Sequence, residues 1–160
     1  MNIKSVQFIT QEEKNDLLNV IDNFFSEEFR IKRKVARITA SADDDYCNRI
    51  TLNADLFNVG LGQVYVRCGY LNDACEAKRE IAIARIYFAK QKNGHGTALL
   101  SKLCKVAQKY NYEIISFECP NNNCRAFATR FGFSKCCVIS PKNLAVSLEA
   151  YENNKNLYLH

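Results

Sequence analysis

The chain has 160 residues, 48% hydrophobic and 24% charged, with only six glycines and two prolines. That composition excludes a disordered, collagen-like or low-complexity chain, and the length fits one domain that buries roughly two-thirds of its unfolded surface. The net charge of +5 is modest, no apolar run approaches the length of a membrane span, and the N-terminus, MNIKSVQFITQEEK, lacks the apolar core of a secretory signal, so a soluble, cytoplasmic protein is expected.

Residues 2–9 read as a first strand. Thr10-Gln-Glu-Glu13 reads as a capping box, with the Thr10 hydroxyl accepting from the Glu13 N–H while the Glu13 carboxylate reaches back. Leu17, Leu18, Ile21, Phe24, Phe25 and Phe29 follow at helical spacing. The densest basic stretch, residues 30–37, reads as a solvated helix end or as a nucleic-acid patch, the first being preferred. Residues 35–39 suggest a short strand, and Asp43-Asp44-Asp45 a solvated turn or a contact for a cationic acceptor. Residues 50–59 and 63–70 suggest two strands joined near Gly60-Leu61-Gly62, with a polar connection over 71–79.

Residues 80–100, EIAIARIYFAKQKNGHGTALL, carry the main signal. Residues 81–84 are apolar on both alternating faces, so this strand is expected to be central. After the loop Gln91-Lys92-Asn93-Gly94-His95-Gly96, a helix from Thr97 places Leu99, Leu100, Leu103, Val106, Ala107 and Tyr110 on one face. A glycine-bearing turn at a helix N-terminus offers backbone N–H groups to phosphate. The P-loop pattern is excluded because no Lys follows Gly96, and the dinucleotide fingerprint because Leu99 stands at its third glycine. Downstream, residues 112–119 read as a strand, and Asn123-Cys-Arg-Ala-Phe-Ala-Thr-Arg-Phe-Gly132-Phe133 as a helix capped by Asn123 and ended by Gly132. Residues 135–140 and 144–150 suggest a second hairpin about Pro141, and residues 152–160 a frayed end.

The Q-x-x-G-x-G loop resembles motif A of the GNAT N-acetyltransferases, and the Asn123–Phe133 segment resembles their motif B. The resemblance implies a single-domain α/β fold over residues 1–160, a mixed, mostly antiparallel central sheet flanked by helices and splayed between strands 81–88 and 112–119. It implies acetyl-CoA as cofactor, its pyrophosphate held by Gln91, Lys92, Asn93, Gly94, His95, Gly96 and Thr97. The strand at Ala84, Ile86, Tyr87 and Phe88 would pair with the pantetheine arm, the N–H near Ala84 would face the acyl oxygen, and Asn123 and Arg130 would complete the cofactor site.

Transfer to an amine also needs a base, because an alkylamine with a pKa near 10.4 is protonated at neutral pH. Ten residues lie between Glu80 and Gln91, the separation of catalytic Glu and loop Gln in the histone acetyltransferases that the segment resembles. Glu80 is therefore the candidate base; a Glu that only marks a strand end, a water or another carboxylate are the alternatives. Where family members often carry a Tyr that protonates the leaving thiolate, this chain has Ala128, leaving Tyr87, Tyr151 or Tyr158 as recruits.

The implied acceptor is a primary amine on a small molecule or protein, with no membrane partner and an unassigned oligomeric state for which a dimer is open. A module that binds coenzyme A without turnover is the rival reading. A third is an RNA-directed enzyme using residues 30–37 with Lys102, Lys105 and Lys109. The cysteines Cys47, Cys68, Cys75, Cys104, Cys119, Cys124, Cys136 and Cys137 form no C-x-x-C, and His95 and His160 are the only histidines. No metal site is expected, and reduced, mostly buried thiols are.

Overall fold

A computed structural model describes residues 7–41, 47–71, 78–91 and 93–158. Thr10 begins helix α1 (Gln11–Phe29) as expected, its hydroxyl accepting from the Glu13 N–H at 3.2 Å. The reciprocal half of the capping box does not form. Glu13 is buried instead, its carboxylate held by Arg79 Nη2 at 2.6 and 2.7 Å and by the Tyr112 hydroxyl at 2.6 Å. A buried carboxylate with a guanidinium and a phenol in reach satisfies more of its lone pairs there than at one backbone N–H.

The expected first strand falls partly on residues 2–6, outside the described residues. Residues 7–9 form no strand and tie down through the Ile9 N–H, which donates to the Cys47 carbonyl at 2.7 Å. Strand β1 is Arg37–Ser41 rather than 35–39, because Asp22 Oδ1 takes the N–H groups of Val35 and Ala36 at 2.7 and 2.8 Å. Strand β2 (Arg49–Asp55) stops short of residue 59: the Asp55 carboxylate accepts the Phe57 N–H at 3.0 Å and starts a 3-10 turn, Phe57–Val59. The acidic run 43–45 and most of the 71–79 connection lie outside the described residues.

Strand β3 (Gly62–Tyr70) leads into β4 (Arg79–Phe88), then α2 (His95–Lys109), β5 (Ile114–Phe117), α3 (Asn122–Arg130), β6 (Val138–Ile139) and α4 (Pro141–Leu157). Three expectations shift. Helix α2 begins at His95, not Thr97, with Gly94 as its N-cap. Asn121, not Asn123, caps α3, accepting from the Cys124 N–H at 2.9 Å. Strand β5 is half the expected length: the Tyr112 N–H still bonds to the Ala107 carbonyl of α2 at 2.9 Å, and Cys119, with φ 42°, turns the chain beyond Phe117.

The expected C-terminal hairpin is a helix. Ser140 accepts from the Asn143 N–H at 3.2 Å as N-cap and Pro141 occupies the first turn, where its missing N–H costs nothing. The helix runs on through residues expected to fray. Cys136 and Cys137 lie in a turn before β6, Cys137 with φ 57°, rather than within a strand.

One six-stranded sheet runs β1-β2-β3-β4-β5-β6, antiparallel except where β4 pairs parallel with β5. The register aligns Ile50, Leu52 and Ala54 with Cys68, Val66 and Val64, and these with Ile81, Ile83 and Ile86. This row is largely buried beneath α1 and α2, and α4 packs on α2. The other face carries Thr51, Asn53, Tyr65, Arg67, Glu80 and Ala82.

Candidate functional site

The site grows from unequal strand lengths. Strand β5 pairs with β4 only over Glu80–Ile83, and the last link is the Glu118 N–H donating to the Ile83 carbonyl at 3.0 Å. Strand β4 continues from Ala84 to Phe88, paired with β3 alone among the described strands. Ala84 is an extra residue here: Ile83 faces Val66 and Arg85 faces Tyr65, which is a bulge. The insertion resets which groups face outward. The Ala89 N–H donates to the Leu61 carbonyl at 3.0 Å on the β3 side, so alternation turns the main-chain groups of Ile86 and Phe88 toward the open edge. Tyr87 points its main chain to β3, and its exposed ring lies 5.5 Å from Phe57.

Just beyond β4 stands the start of α2. Gly94 has φ 78°, no side chain caps the helix, and the first internal bond is Ala98 N–H to Gly94 carbonyl at 3.0 Å. The N–H groups of His95, Gly96 and Thr97 have no acceptor among the described residues, at the positive end of the helix dipole. Gln91, Asn93 and Gly94 are exposed around them, and Lys92 lies outside the described residues. A Cβ at Gly94 would meet nothing within 4 Å.

The two glycines are not equivalent. A Cβ on Gly96 would stand 3.0 Å from Phe127 Cζ, so its bare Cα serves the packing of α3 on α2. The His95 side chain is likewise structural: Nδ1 lies 2.8 Å from Glu28 Oε2, and the ring sits 4.5 Å from Phe29 and 5.6 Å from Phe88.

Glu80 lies at the start of β4 on the polar face, half-buried, with the Ser116 hydroxyl donating to its carboxylate. Four residue steps along the strand, about 13 Å, take it to Ala84. A second carboxylate, unmarked in the sequence reading, sits nearer the bulge. Glu118 follows β5 beside Ile83 and accepts from Arg67, whose Nε is 2.8 Å away. Only the end of β5 indicates it, and the sequence pattern carries that strand to residue 119, past its end at Phe117.

Asn123 and Arg130 are exposed on α3, and Phe127 of the same helix approaches Gly96 in the first turn of α2. Ala128 is buried, its carbonyl accepting from the Phe131 and Phe133 N–H groups at 3.0 and 3.2 Å. Tyr151 packs its ring on Phe131 at 5.3 Å, and Tyr158 is exposed at the end of α4.

Beneath β4, burial pushes the Tyr112 phenol and the Cys68 thiol well above their ordinary values, so both stay protonated beside the Arg79–Glu13 pair. Burial also raises the Cys104 and Cys124 thiols, with Cys137 adding to the second. The described cysteines are free: Cys47, Cys68, Cys104 and Cys137 are buried, Cys124 is partly so, and Cys119 and Cys136 are exposed. Protonated thiols are poor nucleophiles. Of the three α2 lysines, Lys102 pairs with Glu27 at 2.7 Å and Lys109 with Asp16 at 2.6 Å, while Lys105 is exposed.

Among the described residues no helix is long and apolar enough to cross a membrane, and no group of three or more His, Cys, Asp or Glu could hold a metal ion. No protein-family model matches the chain, and no curated protein matches it in sequence.

Proposed function

We propose that the chain is a cytoplasmic N-acetyltransferase of GNAT type that moves an acetyl group from acetyl-CoA to a primary amine. The observation that carries this reading is the alignment of two unsatisfied backbone surfaces: the open edge of β4 after the Ala84 bulge, and the uncapped first turn of α2 directly beyond it. Their donor sets fit the two ends of the cofactor. The N–H groups of His95, Gly96 and Thr97 suit a pyrophosphate, and the outward main-chain groups of Ile86 and Phe88 suit the amides of a pantetheine arm.

When bound, acetyl-CoA supplies an activated thioester carbonyl. The chain's residues supply the rest. The Ala84 N–H orients the acyl oxygen and stabilises charge that develops on it. The Glu80 carboxylate accepts the ammonium proton; with about 13 Å of strand between Glu80 and Ala84, the proton reaches it through water. A binding module without turnover is the second reading, favoured by the burial of Ala128 where a thiolate-protonating Tyr would stand.

The test is a melting-temperature titration with coenzyme A and acetyl-CoA. Ligand at 100 times its Kd stabilises by about 2.7 kcal/mol. Gly94→Asp and Gly94→Asn share shape and tolerance of the left-handed backbone, yet only Asp places a negative charge at the α2 N-terminus. Asp should weaken coenzyme A binding at least tenfold more than Asn. Equal affinity for the two variants, or no shift of wild type at millimolar cofactor, overturns the reading.

A further inference from the structure

The basic segment read from the sequence as a solvated helix end has a definite place in the fold. Phe29, the last residue of α1, stacks 4.5 Å from His95, the first residue of α2, and Glu28 hydrogen-bonds the same imidazole. These contacts bring the end of one helix to the start of the other. Arg30, Lys32, Arg33 and Lys34 follow at once, all exposed and none with an acidic partner among the described residues. The segment is pinned at both ends, by the Ile31 N–H on the Phe25 carbonyl at 3.4 Å and by Asp22 on Val35 and Ala36.

Among the described residues the acids nearest it are already engaged, Asp22 by the Val35 and Ala36 N–H groups. Glu27 is engaged by Lys102 and Glu28 by His95. The carbonyls at the C-terminus of α1 favour a cation or two in the last turn, but three of the four cations lie beyond that turn. At most about 11–14 Å of chain separates Phe29 from Lys32 and Arg33, comparable with the Debye length of about 8–10 Å. An anion at the first turn of α2 would feel these cations, with an attenuation set by salt.

We propose that residues 30–34 form a cationic rim to the α2 N-terminus and select ligands by the number of phosphate charges they carry, favouring the 3′-phosphorylated nucleotide end of coenzyme A. The inference rests on the coenzyme A reading above. It assigns a nucleotide-end contact to a segment that ends at Lys34, far before the glycine loop begins at Gln91.

The experiment measures Kd for coenzyme A and for dephospho-coenzyme A at about 50 and 300 mM salt. The proteins are wild type, Lys32→Gln/Arg33→Gln/Lys34→Gln, and a control that removes equal charge elsewhere, Lys105→Gln/Lys142→Gln/Lys155→Gln, all at exposed positions. Wild type should prefer coenzyme A by about tenfold at low salt and less at high salt. The rim variant should lose most of that preference with its melting temperature unchanged, and the control should keep it. An equal preference in wild type and rim variant, or an equal loss in the control, overturns the inference while leaving the coenzyme A site standing. Failure of wild type to bind either compound overturns the coenzyme A reading, and this inference with it.

Discussion

Phe127 of α3 fills the space where a side chain on Gly96 of α2 would stand, its Cζ 3.0 Å from the position of the missing Cβ. The ring has little freedom to retreat, being packed edge-on against Phe117 at 6.2 Å and Phe131 at 5.2 Å. Gly96→Ala should therefore destabilise the fold in urea by about 1–2 kcal/mol, overpacking outweighing the gain in helix propensity. In a Phe127→Leu background the same substitution should cost nothing. Gly94→Ala meets open space but keeps φ 78°, so its cost of about 1 kcal/mol is backbone strain, which Asn should largely relieve. A penalty for Gly96→Ala that persists without the Phe127 ring would remove the packing explanation.

Arg79 is 2% exposed and Glu13 1%, and the pair ties the first turn of α1 to the start of β4. Removing one partner strands a charge in the core. Glu13→Ala should cost about 3–5 kcal/mol in denaturant unfolding. Tyr112→Phe, which leaves the ion pair whole, should cost about 1–2 kcal/mol. A Glu13 variant as stable as wild type would mean that water reaches Arg79.

How much of this was legible depended on how local the signal was. Thr10, the β4–loop–α2 unit and Gly132 were readable because a few neighbouring residues decide each. The C-terminal helix was missed because Leu144, Val146 and Leu148 fit a two-residue period as well as Leu144, Leu148 and Tyr151 fit a helical one. Val146 is 63% exposed while Leu144 and Leu148 are buried, which settles the period. Ser140-Pro141 was the overlooked cue, an N-cap followed by a first-turn proline. Asn121, Asn122 and Asn123 can each cap, so the α3 boundary slipped by two. Glu13 and Arg79 are 66 residues apart, and no periodicity relates them. The same holds for Arg67 and Glu118, the carboxylate that competes with Glu80 for the base.

Asp16 joins α1 to α2 through Lys109 Nζ at 2.6 Å and the Tyr110 hydroxyl at 2.5 Å. The hydrogen bond from Lys109, then that from Tyr110, holds its carboxyl below the ordinary value near 4. A depressed carboxyl stabilises the fold above its unfolded pKa and loses that contribution as pH falls through the folded one. Wild type should thus melt above Asp16→Asn at pH 7, with the gap closing progressively below about pH 4. Lys109 is raised by the same bond, so the gap should also narrow as pH climbs past about 10.4, the ordinary lysine value. A gap that stays constant from pH 7 to pH 2 would assign the Asp16 effect to packing.

Glu80 decides between enzyme and binder. Glu80→Gln keeps the size of the side chain and an acceptor for the Ser116 hydroxyl, while removing the group that takes a proton. Coenzyme A affinity should barely change, because the α2 N-terminus lies past the far end of β4. Turnover should fall about 10²–10⁴-fold at neutral pH, the usual worth of a positioned base. Raising the pH should recover part of that loss, since solvent then deprotonates more of the amine. The measurement is kcat/KM against pH for both proteins, with an acceptor found by screening amines for thiol release. An unchanged profile in Glu80→Gln moves the proton elsewhere, and Glu118→Gln then tests the nearest alternative, the carboxylate beside Ile83. If coenzyme A binds and no amine is acetylated by wild type, the chain is a binder, and the buried Ala128 is the first position to examine.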